Sequence, residues 1–388
     1  MTEHDEAAGA PLRDGAVGSR PFGVGAGPGP ASRGGPAGAA AEEAMTGPGP
    51  HGIAAALRAG PLVLDAGMST GLERLGVRTD SALWTASALR EGPGAVRRVH
   101  EEHLAAGADV VITDTYQAAL PTLAAAGLDR AEAGEMVRRA VTAARLARDA
   151  VRPGAFVAGS VGPYGAHLAD GGEYTGAYQL DEAGYRDFHR GRIALLLEAG
   201  VDLLAVETLP RADEARAVAA LLAEEFPGAP AWFSFTTAAA PARPAEPGGE
   251  GPSPSRGSPD QPSPAPAPPA LPDGTPLQEI ARELGEAPGV VAVGVNCLAP
   301  ARAGEAVRAL RRSADAPIVV YPNSGESYDP LSKAWSGRVR SGDEGATSLA
   351  ELAPGWVAAG ASAVGGCCRT TAEDVAAIAR ALGGGRAG

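Results

Sequence analysis

Only three cysteines occur in 388 residues. Two of them, Cys367 and Cys368, are neighbours in the chain. Three thiols cannot all pair, so a disulfide scaffold is not expected. Basic residues are also short, 33 Lys and Arg against 46 Asp and Glu, for a formal net charge of -13. That balance argues against wrapping nucleic acid or docking on an anionic membrane. No apolar run reaches the ~18 residues that a membrane span requires. The opening Met-Thr-Glu-His-Asp-Glu is acidic and has no apolar core, so a secretory signal is not expected and a reducing cytoplasm is. His-Glu-x-x-His, a Walker loop and a Rossmann glycine fingerprint in a strand–turn–helix setting are all missing.

What is present is a regular alternation framed by low-complexity segments. Residues 1–50 are Gly-, Ala- and Pro-rich, with too little apolar surface to offset ordering entropy, and are expected to be disordered. Residues 237–272 form a Pro-, Ser- and Ala-rich insert, expected as a surface loop inside a folded region of residues 51–388. Removing both leaves about 300 residues, suited to one (β/α)₈ barrel. Eight apolar runs read as buried parallel strands: Leu62–Ala66, Asp109–Thr115, Phe156–Val161, Asp202–Thr208, Trp232–Thr236, Val290–Cys297, Ile318–Asn323 and Ser362–Cys367. Helical spacing separates them, over Ala95–Ala106, Ala133–Val151, Glu182–Ala199, Ala212–Phe226, Pro276–Leu284, Ala303–Arg312 and Leu349–Ala359. A last helix is expected from a Thr370/Glu373 capping box to about Leu382. The pattern predicts an α/β protein, a single-domain TIM-type barrel, with an open α/β sheet as the alternative.

Barrel chemistry gathers at the C-terminal ends of the strands. Those ends carry Asp65, Thr113, Glu207, Asn296 and all three cysteines, Cys297, Cys367 and Cys368. Three thiolates are the protein's share of a tetrahedral zinc that keeps one position open, which suits activation of another thiol. Gly365 and Gly366 would let the chain turn so that both adjacent cysteines reach one ion, and a following helix N-terminus would favour thiolate. The competing readings are small buried apolar cysteines and a redox-active vicinal pair. Asp65 and Glu207 read equally as ordinary loop carboxylates. His100 and His103 share one side of a helix and, lacking a third ligand nearby, read as a solvated face.

At these residues the sequence resembles the homocysteine S-methyltransferase family, on the S-methylmethionine-using side. The resemblance is carried by Asp65-Ala66-Gly67-Met68-Ser69-Thr70, Ala158-Gly159-Ser160-Val161-Gly162-Pro163, Trp232-Phe233-Ser234-Phe235-Thr236, Val295-Asn296-Cys297 and Gly365-Gly366-Cys367-Cys368-Arg369-Thr370. It covers about residues 55–383, the Pro-rich insert excepted. The resemblance implies Cys297, Cys367 and Cys368 as Zn²⁺ ligands, and Asp65 and Glu207 beside bound homocysteine, with Glu207 meeting its ammonium group. Ala66 stands where the family often has Gly, and the insert exceeds the family's usual loop.

The expected reaction is zinc-dependent methyl transfer from a sulfonium, S-methyl-L-methionine or S-adenosyl-L-methionine, to L-homocysteine, giving L-methionine. Such a step expels a neutral thioether and needs no general acid, which fits the lack of an obvious catalytic histidine. Asp65, Glu207, Thr113 and Asn296 would bind the amino acid; Trp84, Tyr116 and Tyr164 offer rings to the sulfonium. A betaine-type methyltransferase and a non-catalytic zinc or thiol sensor are the alternatives. The expected partners are small molecules, with neither nucleic acid nor membrane, on a monomer or small homo-oligomer.

Overall fold

The computed structural model describes residues 50–79, 85–238, 268–329, 334–336 and 347–383. The N-terminal extension up to residue 49, most of the Pro-rich insert and Trp84 lie outside them. Eight parallel strands follow in chain order: β1 (Leu62–Val63), β2 (Val110–Ile112), β3 (Phe156–Val161), β4 (Leu203–Leu209), β5 (Ala231–Phe235), β6 (Val290–Asn296), β7 (Ile318–Tyr321) and β8 (Ala361–Val364). Their order in the sheet is β1-β8-β7-β6-β5-β4-β3-β2. A parallel bridge between Leu64 and Val110 joins the two outer strands, so the sheet closes on itself. This is the (β/α)₈ barrel that the alternation predicts.

Side chains on a strand alternate between faces, and here the alternation sorts two apolar populations. Leu62, Leu64, Val110, Phe156, Ala158, Leu203, Ala205, Trp232, Ala292 and Val319 form one buried cluster, the barrel interior. Their neighbours Val63, Val111, Val157, Leu204, Val206, Phe233, Val293 and Val320 belong to a second cluster, shared with the surrounding helices. Strands buried on both faces read as continuous apolar runs, which is why they were legible. The helix Pro50–Ala59 brings Ile53 and Leu57 into the interior cluster. This helix begins at Pro50, the last residue of the stretch expected to be disordered, because these two side chains have a core to enter.

The expected helices are present with ends shifted by up to three residues. The last one runs Ala372–Ala381, and its capping box is Thr371 with Asp374, not Thr370 with Glu373. Thr370 is spent elsewhere, donating its hydroxyl to Cys367 O at 2.6 Å, while Glu373 pairs with Arg74 on the surface. Short helices in the βα loops, such as Ala86–Glu91 and Gly172–Thr175, carry too few residues to show a period. The insert leaves and returns through one stem, with Ala238 N donating to Ala270 O at 2.9 Å. Its expected end at 272 is too late, since Leu271 is already fully buried in the core.

The helix preceding β1 is a structural part of the barrel. Leu57→Ala should therefore cost ~2–5 kcal/mol in urea unfolding. Leu146→Ala, at a side chain 47% exposed, should stay within ~0.5 kcal/mol. Equal small losses at both positions would remove that structural role from the helix.

Candidate active site

The strand parity that fills the barrel with Phe156 and Ala158, Leu203 and Ala205, Trp232, Ala292 and Val319 continues upward. Two residues further on, it turns Ser160, Glu207, Ser234, Gly294 and Tyr321 inward, with Asn296 one step above Gly294. These groups form a hydrogen-bonded layer over the apolar interior. Ser160 Oγ donates to Glu207 Oε1 at 2.5 Å, and Tyr321 Oη lies 3.0 Å from Glu207 Oε2, donating to it when the carboxyl is ionised. Ser234 Oγ lies 2.6 Å from Tyr321 Oη and donates to Asn296 Oδ1 at 2.9 Å. Trp232 Nε1 donates to Tyr321 Oη at 3.2 Å.

A hydrogen count bears on the charge of Glu207. The contacts Glu207–Tyr321, Tyr321–Ser234 and Ser234–Asn296 each need a hydrogen, and two hydroxyls supply two. A proton on Glu207 Oε2, passed toward Tyr321, supplies the third. Burial independently pushes this carboxyl up to about 7, against the pull of Ser160, Tyr321 and Arg192.

The layer floors a cavity of about 750 Å³, its open mouth included, walled among others by Asp65, Thr113, Asp114, Tyr116, Glu173, Glu207, Tyr321 and the three cysteines. Asp65 Oδ2 accepts from Ile112 N at 2.8 Å. Its carboxyl is raised well above the usual range, mainly by burial, with the charge of Glu207 adding to the effect. Thr113 also reaches the wall, its Oγ1 accepting from Ser160 N at 3.0 Å. Asn296 is fully buried and absent from the cavity wall. Its amide instead ties β6 to β4, accepting from Thr208 N at 2.8 Å and donating to Thr208 Oγ1 at 2.7 Å. Thr208, near the end of β4, and Cys297, just past β6, are both left-handed, φ 60° and 50°. Such strain in non-glycine residues needs a surrounding that over-determines it.

Cys297 follows β6 directly, and Cys367 and Cys368 follow β8 after two glycines. Their sulfurs all lie within 4.8 Å of one another. Cys297 and Cys367 are in disulfide contact, Cα atoms 5.7 Å apart, while Cys297 Sγ and Cys368 Sγ are 3.8 Å apart. A disulfide was not expected. It joins two strand tips across the site, not the vicinal pair. Gly365 and Gly366 serve close approach: a Cβ on Gly365 would meet Leu64 Cβ at 2.6 Å, and one on Gly366 would meet Thr370 Oγ1 at 2.5 Å. The left-handed residue of this turn is Arg369, φ 63°. Cys368 N donates to Asn323 Oδ1 at 3.1 Å and Cys367 N to Pro322 O at 2.8 Å, which fixes the turn.

The donor set fits zinc. Sulfurs around a tetrahedral zinc with bonds of ~2.3 Å stand ~3.8 Å apart, the separation of Cys297 and Cys368. Cys297 and Cys367 are closer, so this pair must be reduced and part slightly. Burial pushes the Cys368 thiol up to about 12, with Tyr174 opposing and Glu207 and Glu173 adding. The expected helix-dipole help is outweighed by desolvation, and a cation is what this site needs to hold thiolates.

Several expectations from sequence change here. His100 and His103 are buried, not solvated. Burial lowers them to about 3 and about 4, so both are neutral. The outward face of their helix belongs to the Arg97–Glu101 and Arg98–Glu102 pairs. Tyr164 packs edge-on against Phe188, ring centroids 5.0 Å apart, and does not line the cavity. Two residues were overlooked. Tyr321 follows Val319 by inward parity, a signal present in the sequence. Arg192 interrupts the stripe Tyr185, Phe188, His189, Leu196, and a basic residue in an apolar stripe was the available clue. It is buried and donates to Tyr116 O at 2.7 Å and Gly162 O at 2.5 Å, holding two loops of the mouth. Its neighbour His189 reaches Glu214 Oε1 at 2.8 Å, and Glu214 accepts from Tyr164 N at 2.6 Å.

Fold and site together define a (β/α)₈ barrel enzyme whose reactive groups are clustered thiols facing a carboxylate-lined cavity. The sequence model of homocysteine S-methyltransferase matches residues 62–382. The Escherichia coli homocysteine S-methyltransferase is 43% identical over 323 residues, 82% of this chain and 94% of that one. The structure of the E. coli homocysteine methyltransferase MmuM in its metallated form superposes with a TM-score of 0.67 at 39% identity, covering 83% of this chain and 98% of that one. Its oxidised form gives a TM-score of 0.67 at 39% identity, over 82% and 95%. The chain belongs to the homocysteine S-methyltransferase family and is a methyltransferase.

A carboxyl raised from 4.5 to about 7 stabilises the fold fully below pH 4.5 and loses that contribution as pH rises through 7. The loss amounts to ~3 kcal/mol. Glu207→Gln keeps the shape and the third hydrogen at every pH. Urea unfolding from pH 5 to 8 should show wild type falling relative to this variant by about that amount; parallel curves would contradict a protonated Glu207.

Proposed function

We propose that this enzyme transfers a methyl group from a sulfonium donor, S-methyl-L-methionine or S-adenosyl-L-methionine, to the sulfur of L-homocysteine, giving L-methionine, with Zn²⁺ held by Cys297, Cys367 and Cys368. The observation that carries this reading is the convergence of three thiols, within 4.8 Å of one another, on a cavity whose described charged wall residues are all carboxylates. When bound, zinc lowers the pKa of a substrate thiol that takes its open position, and three thiolate ligands keep that sulfur electron-rich.

The chain's own groups then orient and shield. Glu207, joined by Ser160 and Tyr321, receives the ammonium of homocysteine, which favours its ionised form and displaces the proton from Oε2. Asp65 and Thr113 line the same wall and fix the rest of the amino acid. Asn296 acts at one remove, holding the tip at Thr208. In the reaction a sulfur–methyl bond forms as the donor's methyl–sulfur bond breaks, and a neutral thioether leaves while the thiol proton goes to solvent. Thiolate and sulfonium charges cancel on the way, so a cavity that excludes water favours the step. No group has to protonate the leaving sulfur, and neutral His100 and His103 are left out of the chemistry.

The test uses reduced, zinc-replete protein with homocysteine and, in turn, S-methylmethionine, S-adenosylmethionine or betaine, with methionine followed by mass spectrometry. Both sulfonium donors, or one of them, should give methionine and betaine should not. Cys297→Ala and Cys368→Ala should each lose the metal and fall below about 1% of wild-type turnover. Full activity in metal-free protein, or turnover with betaine alone, would overturn the reading.

A further inference from the structure

Among the four wall carboxylates, Asp114 has one oxygen bonded and the other open, a pattern in which only Glu173 Oε2 resembles it. Asp114 follows β2, is 4% exposed, and receives the hydroxyl of Thr85 on Oδ1. Its other oxygen, Oδ2, is buried and has no hydrogen-bond partner among the described residues. Glu207, by contrast, has both oxygens engaged by Ser160 and Tyr321. A buried polar oxygen left unbonded costs ~1–3 kcal/mol, more when charged. Burial pushes Asp114 up to about 6, so at neutral pH most of it is still an anion. No lysine, arginine or histidine stands among the described wall residues to answer that charge. An anion with one open oxygen on a cavity wall is a receptor for a cation, best one bearing N–H donors.

Its place in the barrel says which cation. Counting round the closed ring, β2 is four strands from β6 in either direction. Asp114 and Cys297 thus rise from opposite walls. Transfer of a methyl group between two sulfurs is in line, so the donor lies on the side of the acceptor sulfur away from the cysteines. In the reading above Glu207 meets the ammonium of the acceptor, which leaves Asp114 to the donor.

We infer that Asp114, its carboxylate fixed by Thr85, is a specificity-determining residue whose Oδ2 receives the ammonium group of an amino-acid sulfonium donor. The inference rests on the sulfonium-to-thiol reading above and deepens it. Donors that carry an amino group are selected over sulfoniums that lack one, and over quaternary ammonium compounds, which have no N–H to offer.

The experiment measures initial rates on zinc-replete enzyme for wild type, Asp114→Asn and Thr85→Val. The donors are S-methylmethionine and its des-amino analogue, 4-(dimethylsulfonio)butanoate. Asp114→Asn should raise KM for S-methylmethionine about tenfold or more. KM for homocysteine should stay within about twofold. The des-amino donor should react equally with both proteins. Thr85→Val should move the same way by less, and carries the test should Asp114→Asn fail to fold. The melting temperature of Asp114→Asn should match or exceed wild type, since a neutral amide replaces a buried anion; a merely structural role would lower it. Unchanged KM for S-methylmethionine, an equal rise for both donors, or a rise that falls on homocysteine would each overturn the inference alone. A wild-type enzyme inactive with every sulfonium would overturn the transfer reading, and this inference with it.

Discussion

Strand alternation in a closed barrel is the constraint from which the site follows. Odd-numbered Leu203 and Ala205 point into the interior, so Glu207 must as well. The same parity turns Tyr321 inward above Val319 and Ser234 above Trp232. A carboxylate is thereby forced into the interior, and the hydroxyls of Ser160, Ser234 and Tyr321 are the groups that make it tolerable there. The apolar layers below deny this ring water, and the lack of water in turn keeps Glu207 in need of a proton or a cation. Packing and chemistry are linked in one set of residues.

The second consequence is a division of charge across the mouth. Thiols gather on the side of β6 and β8. Carboxylates from β1, β2 and β4 look toward them, and the described wall holds no basic residue. Burial raises the Cys368 thiol and the charges of Glu207 and Glu173 add to the effect, so free thiolate is disfavoured there. The cavity becomes workable once positive charge arrives, whether as a metal ion, an ammonium group or a sulfonium. The disulfide contact between Cys297 and Cys367 is the other way these sulfurs can be satisfied. It would exclude a metal held by the same sulfurs, so metal and oxidation would compete for the same atoms.

Much of this was legible in the sequence, for identifiable reasons. Doubly buried strands leave uninterrupted apolar runs such as Leu203 to Val206, and three cysteines at two strand ends leave few alternatives. What escaped reading depended on contacts between distant segments. His100 and His103 look like a polar helix face until the helix is docked with that side inward. Arg192 looks like one more helical arginine until the carbonyls of Tyr116 and Gly162 close around it. Asn296 reads as a site residue from its neighbour Cys297, yet its amide is consumed by Thr208, 88 positions earlier. Residues 1–49 and 239–267, expected as an extension and a loop, lie outside the described structure.

The central physical claim is that three separate thiols form one cage for a single ion. Zinc titration of the fully reduced protein, followed by alkylation and mass mapping of each cysteine, tests it most directly. One zinc per chain should bind and slow the modification of Cys297, Cys367 and Cys368 together, with half-protection of all three at the same zinc concentration. A bound zinc that leaves Cys368 reacting at its metal-free rate would contradict it.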